Sequence, residues 1–119
     1  MKVLYVGDRP SLKNWSPDVA FLGSPSGKRL AKWLEQLPGV PLLTNQSYGE
    51  DVVKGLAAEC GTVIALGQEA SKKLDAWLIP HFTLPHPSGL NRQLNDEAYV
   101  KEQLIKAAVW IRLSSRLGA

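Results

Sequence analysis

The nine residues Leu84-Pro85-His86-Pro87-Ser88-Gly89-Leu90-Asn91-Arg92 hold one of the chain's two histidines, with two prolines, a glycine and an arginine around it. Proline on each side of His86 fixes the backbone and removes two N–H donors, so the imidazole is presented from a stiff turn, not a helix. A stiff turn directly after a short apolar run has the form of a catalytic loop at a strand end. An ordinary strand-to-helix connection carrying a surface histidine has the same form. Gly7-Asp8-Arg9-Pro10-Ser11 is a second such loop. Asp8 suits a general base, a holder of water, or a turn residue bonding its own backbone. Asn45, at the end of another apolar run, can offer its amide donor and acceptor to a ligand edge, or cap the next segment. Phe21 can stack on a planar ligand or join the core. Gly23-Ser24-Pro25-Ser26-Gly27-Lys28 is one residue short of a phosphate-binding G-x-x-x-x-G-K-[ST] loop. It also has Arg29 where a magnesium-binding Ser or Thr belongs, and it does not directly follow the first strand. A nucleoside triphosphatase is therefore rejected. The helix N-terminus after Gly27 can still receive a phosphate oxygen, assisted by Lys28 and Arg29.

These residues need elements to position them, and the hydrophobic pattern supplies them. Val3 to Val6 is a continuous apolar run closed by Gly7, and predicts a buried strand. Residues 12–18 hold no period and predict a loop. Leu30, Trp33, Leu34 and Leu37 recur at helical spacing, so Ser26 to Leu37 predicts a helix stopped by Pro38-Gly39. Val40 to Thr44 predicts a second strand ending at Asn45. Glu50 to Cys60 predicts a helix with Val52, Val53, Leu56, Ala57 and Cys60 on one face and Gly61 as a left-handed cap. Thr62 to Leu66 is the third strand, closed by Gly67. Gln68 to Leu78 is a helix through Ala70, Leu74, Trp77 and Leu78, and Phe82 to Leu84 a short fourth strand. Asn95-Asp96-Glu97 starts a last helix whose core face is Val100, Leu104, Ala107, Ala108 and Ile111. Alternating apolar strands and helices predict a three-layer α/β/α sandwich with a central four-stranded parallel sheet in one domain, residues 1–119. In such sheets ligands bind beyond the carboxyl ends of the strands. The loops holding Asp8, Asn45 and His86 all belong at that rim.

Composition bounds the function classes. The 119 residues carry 14 Lys and Arg against 11 acidic groups, a net charge of +3 that permits nucleic-acid binding without demanding it. With one cysteine, Cys60, an internal disulfide and any cysteine-held zinc or iron–sulfur centre are excluded, and a free thiol fits a reducing compartment. The opening run is broken at Gly7, too soon for a signal peptide, and no apolar stretch reaches spanning length. The expectation is a cytoplasmic protein (host-cell cytoplasm for a viral chain), monomeric, with no membrane, metal or cofactor.

Taken together and in order, these motifs carry a resemblance. A strand ending in Gly-Asp-x-Pro, a Phe-x-Gly followed by Ser-Gly-x-x-Leu, a strand ending in Thr-Asn, a Val-Ile-x-Leu-Gly strand and a late His-Pro-Ser-Gly-Leu resemble the uracil-DNA glycosylase superfamily. The likeness runs from Val3 to Arg92, with His-Pro-Ser its most specific element. The resemblance implies a uracil-DNA glycosylase-like fold and hydrolysis of the N-glycosidic bond of uracil, or a related pyrimidine, in DNA. It implies that His86 polarises the pyrimidine O2 and stabilises the departing base anion. Asn45 would read the base's Watson–Crick edge, with Arg9 grouped among the base-binding residues and Phe21 stacked beneath. Leu90 would be the wedge filling the gap left by a flipped nucleotide. Ser88, with Arg92, Lys28 and Arg29, would contact DNA phosphates. Such chemistry relies on donors aimed at charge developing on the base, and on drawing the base out of the stack.

The chain also departs from that family. Arg9 stands where branches with Gly-Gln-Asp-Pro-Tyr or Gly-x-Asn-Pro-Gly position water. Asp8 falls where the iron–sulfur branch has glutamate, and so becomes the candidate for orienting water. Ser11 cannot exclude a 5-methyl group as tyrosine does in one branch, so a 5-substituted pyrimidine is an expected substrate too. The cluster cysteines are missing, and the chain is short for the family. Two further readings stay beside the glycosylase. One is a catalytically silent base-, nucleotide- or DNA-binding module of the same fold; the other is a glycosidase acting on free nucleotides.

Overall fold

The computed structural model describes residues 2–7, 25–85 and 96–117. Strand β1 (Lys2–Gly7) is followed by helix α1 (Pro25–Glu35), strand β2 (Val40–Asn45), a single 3₁₀ turn (Gln46–Tyr48) and helix α2 (Glu50–Cys60). Strand β3 (Thr62–Leu66), helix α3 (Gln68–Ala76), strand β4 (Phe82–Leu84) and helix α4 (Glu97–Leu117) complete the order. Among the described residues the strands form one four-stranded, all-parallel sheet in the order β2-β1-β3-β4. The expected parallel α/β architecture is therefore present.

Strand order explains the layers. The chain steps one way from β1 to β2, then crosses back over β1 to reach β3 and β4. Crossovers of one hand then place α1 and α2 on opposite faces. On one face Val3 and Tyr5 of β1 pack with Leu30 and Trp33 of α1 and Leu104, Ala107 and Ile111 of α4. On the other, Leu4 and Val6 meet Val53 of α2 and Ala70 and Leu74 of α3. Central β1 is sealed on both sides, with Val3, Leu4, Tyr5 and Val6 at most 1% exposed, and each such side chain contributes about 1.5–3 kcal/mol on burial. Desolvation pushes the Tyr5 phenol far above its ordinary range, so it stays neutral. Edge strand β2 is less covered at its start, where Val40 lies in solvent.

Local chemistry sets the helix ends. Asp96 caps α4 as expected, its Oδ1 accepting the Tyr99 N–H at 3.0 Å. Trp110 of α4 donates its indole N–H to the Val63 carbonyl at 3.2 Å, fixing the helix against β3. Gly61 takes the left-handed conformation (φ 78°) beyond α2, as its position predicted. Helix α3 departs from expectation. It ends at Ala76, and Leu78 is not on its core face but 88% exposed with φ 59°. Ile79 N–H bonds the Leu74 carbonyl at 2.9 Å and Leu78 N–H the Asp75 carbonyl at 3.1 Å. That pair of bonds is a Schellman cap, with buried Ile79 contacting Leu74 and Leu78 at the position that favours glycine. Val52 also leaves its expected face: only Val53 of that pair is buried, because α2 meets the sheet along the Val53–Leu56–Ala57–Cys60 side. No helix among the described residues is long and apolar enough to cross a membrane.

Candidate functional site

A parallel sheet leaves a crevice beyond its carboxyl ends at the point where strand order reverses, here between β1 and β3. Gly7, Asn45, Gly67 and Leu84 end or follow the strands on that rim, and Gly7 sits in register with Asn45. Asn45 is fully buried, yet its Oδ1 and Nδ2 find no hydrogen-bond partner among the described residues. It precedes the 3₁₀ turn in an extended conformation and makes no side-chain capping bond, so capping does not explain it. An unsatisfied buried amide costs about 1–3 kcal/mol, and natural folds keep few of them without a use. One donor and one acceptor side by side on a rigid strand end match the edge of a planar ligand such as a nucleobase. Tyr48, one turn later, buries its hydroxyl as well.

The rim backbone is tightly tied. Gly67 follows β3 with φ 96°, and its N–H donates to the Leu84 carbonyl at 2.8 Å, tying the ends of β3 and β4 together. Gly67 also precedes α3 without a side-chain cap. Only glycine takes this φ cheaply, so the chain can turn from strand to helix tightly beside the crevice.

The other expected site residues divide into two groups. Arg29 is half-buried on α1 and lines a cleft of about 300 Å³ with Trp33, Glu97 and Lys101. Lys28 lies in the first turns of the same helix. Asp8, Arg9, Phe21, His86, Ser88, Leu90 and Arg92 fall outside the described residues. Asp8 directly follows Gly7 and His86 directly follows Pro85 in the chain, and both Gly7 and Pro85 are described and buried.

A partly buried polar cluster escaped the sequence reading. His81 Nε2 lies 2.8 Å from Ser71 Oγ, and His81 Nδ1 lies 2.8 Å from the Ile79 carbonyl. Thr83 Oγ1 donates to Ser71 Oγ at 3.0 Å. Its one sequence signal is Ser71, a polar residue beside Ala70 on the inward face of α3. Among the described residues no group of three or more His, Cys, Asp or Glu can hold a metal ion. Cys60 is a half-buried free thiol whose pKa is pushed up, chiefly by burial and then by the Glu59 carboxylate, against a smaller lowering by Lys2. The larger cleft, about 700 Å³, opens at the opposite end of the sheet between Gly61, Val63, Trp77 and Trp110. Neither Asn45 nor His81 lines it, so we place the candidate site at the carboxyl rim on chemistry rather than on size.

No family model, curated protein or solved structure matches the chain.

Proposed function

We propose that the carboxyl rim is a nucleobase pocket, and that the protein is a small glycosylase of the uracil-DNA glycosylase type, acting on uracil or a related pyrimidine in DNA. The observation that carries this reading is the buried, unpartnered amide of Asn45 at the end of β2. A pyrimidine edge presents the acceptor and donor that this amide lacks. The motif order that resembles the superfamily supports the reading, as does the parallel sheet, whose β1 and β4 lead directly into the Asp8 and His86 segments.

In this reading the Asn45 amide holds the flipped base by its edge. His86 donates toward the pyrimidine O2, where negative charge gathers as the glycosidic bond lengthens. The sugar takes the matching positive charge, and a water oriented by Asp8 attacks the anomeric carbon from the opposite side. Phe21 stacks on the base, Leu90 fills its vacated place, and Ser88, Arg92, Lys28 and Arg29 hold the backbone. Arg9, in the same loop as Asp8, contributes to the base pocket.

The test is alkali-sensitive cleavage of oligonucleotides carrying uracil or 5-substituted pyrimidines. Abasic sites that form with wild-type protein and not with His86→Ala support the glycosylase. Binding that survives His86→Ala, with no base released by either form, replaces it with the silent binding module. Release from deoxyuridine monophosphate alone identifies the free-nucleotide enzyme.

A further inference from the structure

We propose that His81 is a positioning residue for the candidate site: held as its Nδ1–H tautomer by Ile79 and Ser71, it fixes β4, the strand that leads in the chain to His86. The proposal rests on the nucleobase-pocket reading for its catalytic consequence, and on geometry alone for the tautomer. The Ile79 carbonyl is only an acceptor, so a 2.8 Å contact requires the hydrogen on Nδ1. Nε2 of the neutral ring is then an acceptor, which the Ser71 hydroxyl satisfies at 2.8 Å. Thr83 in turn donates to Ser71 at 3.0 Å. The result is one directed chain, Thr83 O–H to Ser71 O–H to His81 Nε2, with His81 Nδ1–H to the Ile79 carbonyl.

That chain matters because of where β4 lies. Among the described residues it is an edge strand, pairing with β3 alone through three registered pairs, Ile64 with Phe82, Ala65 with Thr83 and Leu66 with Leu84. Short edge strands are among the first elements to open. On the α4 face Phe82 and Leu84 pack into the core. On the α3 face β4 presents only Thr83, and there the polar chain supplies the attachment in place of packing. The polar chain ties β4 to α3 through Thr83 and Ser71, and the Gly67 N–H bond to the Leu84 carbonyl ties its end to the end of β3. Pro85 and His86 follow immediately. The His81 side chain is 6% exposed, which fits a positioning role and not contact with substrate. The Asp75 carboxylate lies 3.8 Å from Nε2 and largely in solvent.

Long-range ¹H–¹⁵N correlation spectra of the full chain test the tautomer, with His81→Gln assigning the signals. A protonated Nδ1 and an unprotonated Nε2 at His81 are expected; a protonated Nε2 at neutral pH overturns the proposal. The positioning role is read from single-turnover release of uracil from an oligonucleotide. His81→Phe is expected to slow release at least tenfold with oligonucleotide affinity within twofold, and His81→Gln, which keeps an acceptor for Ser71, to recover most of the rate. A folded His81→Phe protein releasing base at the wild-type rate overturns it. If that variant does not fold, Thr83→Val removes the far link at nearly constant volume, and an unchanged rate there overturns it as well. If wild-type protein releases no base, the glycosylase reading fails by itself. The inference is then judged on the tautomer and on the His86 ring resonances, which must shift in Thr83→Val.

Discussion

Replacing Asn45 by alanine separates a residue kept for a ligand from one kept for the fold. Asn45 is fully buried with both amide atoms unpartnered among the described residues. Removing an unsatisfied buried amide relieves about 1–3 kcal/mol. The truncation leaves a void of about 40 Å³, which at roughly 24 cal/mol per Å³ costs about 1 kcal/mol. Asn45→Ala is therefore expected to leave stability unchanged or raise it by up to about 2 kcal/mol. A central gain of about 1 kcal/mol corresponds to about 3–4 °C in Tm for a chain of this size. An asparagine whose amide held the backbone would behave oppositely, because its partners would be stranded at about 1–3 kcal/mol each. Urea unfolding at constant m-value measures the difference, and fluorescence anisotropy with a uracil-containing oligonucleotide measures binding in the same preparations. The expected result is a variant at least as stable as wild type that has lost the preference for uracil over an unmodified strand. A loss of more than about 2 kcal/mol would refute the reasoning, since the amide would then be engaged within the fold.

Other expectations follow from separate parts of the structure. Leu78 occupies the glycine-favouring position of a Schellman cap while 88% exposed, so Leu78→Gly is expected to stabilise by about 0.5–1 kcal/mol in urea unfolding. Cys60, its pKa raised by burial and by Glu59, is expected to be less thiolate than a free cysteine at any given pH. It should alkylate more slowly at pH 8, faster in Glu59→Gln and slower still in Lys2→Ala. Arg29→Gln, if Arg29 meets one DNA phosphate, should reduce the slope of log K against log salt by about 0.9 on duplex or about 0.7 on single strands. Trp110→Phe removes the indole donor to the Val63 carbonyl and should cost about 1–2 kcal/mol of stability, with base release by folded protein unchanged.

The elements were legible because their signals are local. Apolar runs bounded by glycine marked β1 and β3, and the spacing of Leu30, Trp33 and Leu37 marked α1. Asp96 announced the start of α4 by its capping chemistry. The order β2-β1-β3-β4 was not legible, since the strands' similar composition does not say which neighbours which. Leu78 misled because helical spacing continued past Ala76, while the cap that ends α3 is set by the burial of Ile79 against Leu74. Val52 misled because two adjacent valines fit the same window, and only the side on which α2 packs against the sheet chooses Val53. At the site, Asn45 was visible as a polar residue ending an apolar run, but its missing partners appear only in three dimensions. The Ser71–His81–Thr83 chain was hidden for the same reason: contacts ten to twelve residues apart join a helix to a strand.

The central claim is that the Asn45 amide is a base reader, and its own resonance tests it most directly. The Asn45 side-chain Nδ2 signals, assigned with Asn45→Ala, are followed while a uracil-containing oligonucleotide is added to His86→Ala protein, the variant expected to release no base. A hydrogen bond from this amide to a pyrimidine oxygen predicts a saturable downfield proton shift, absent with the same strand carrying an abasic analogue. Asn45 signals that stay fixed while the oligonucleotide binds elsewhere would contradict the account.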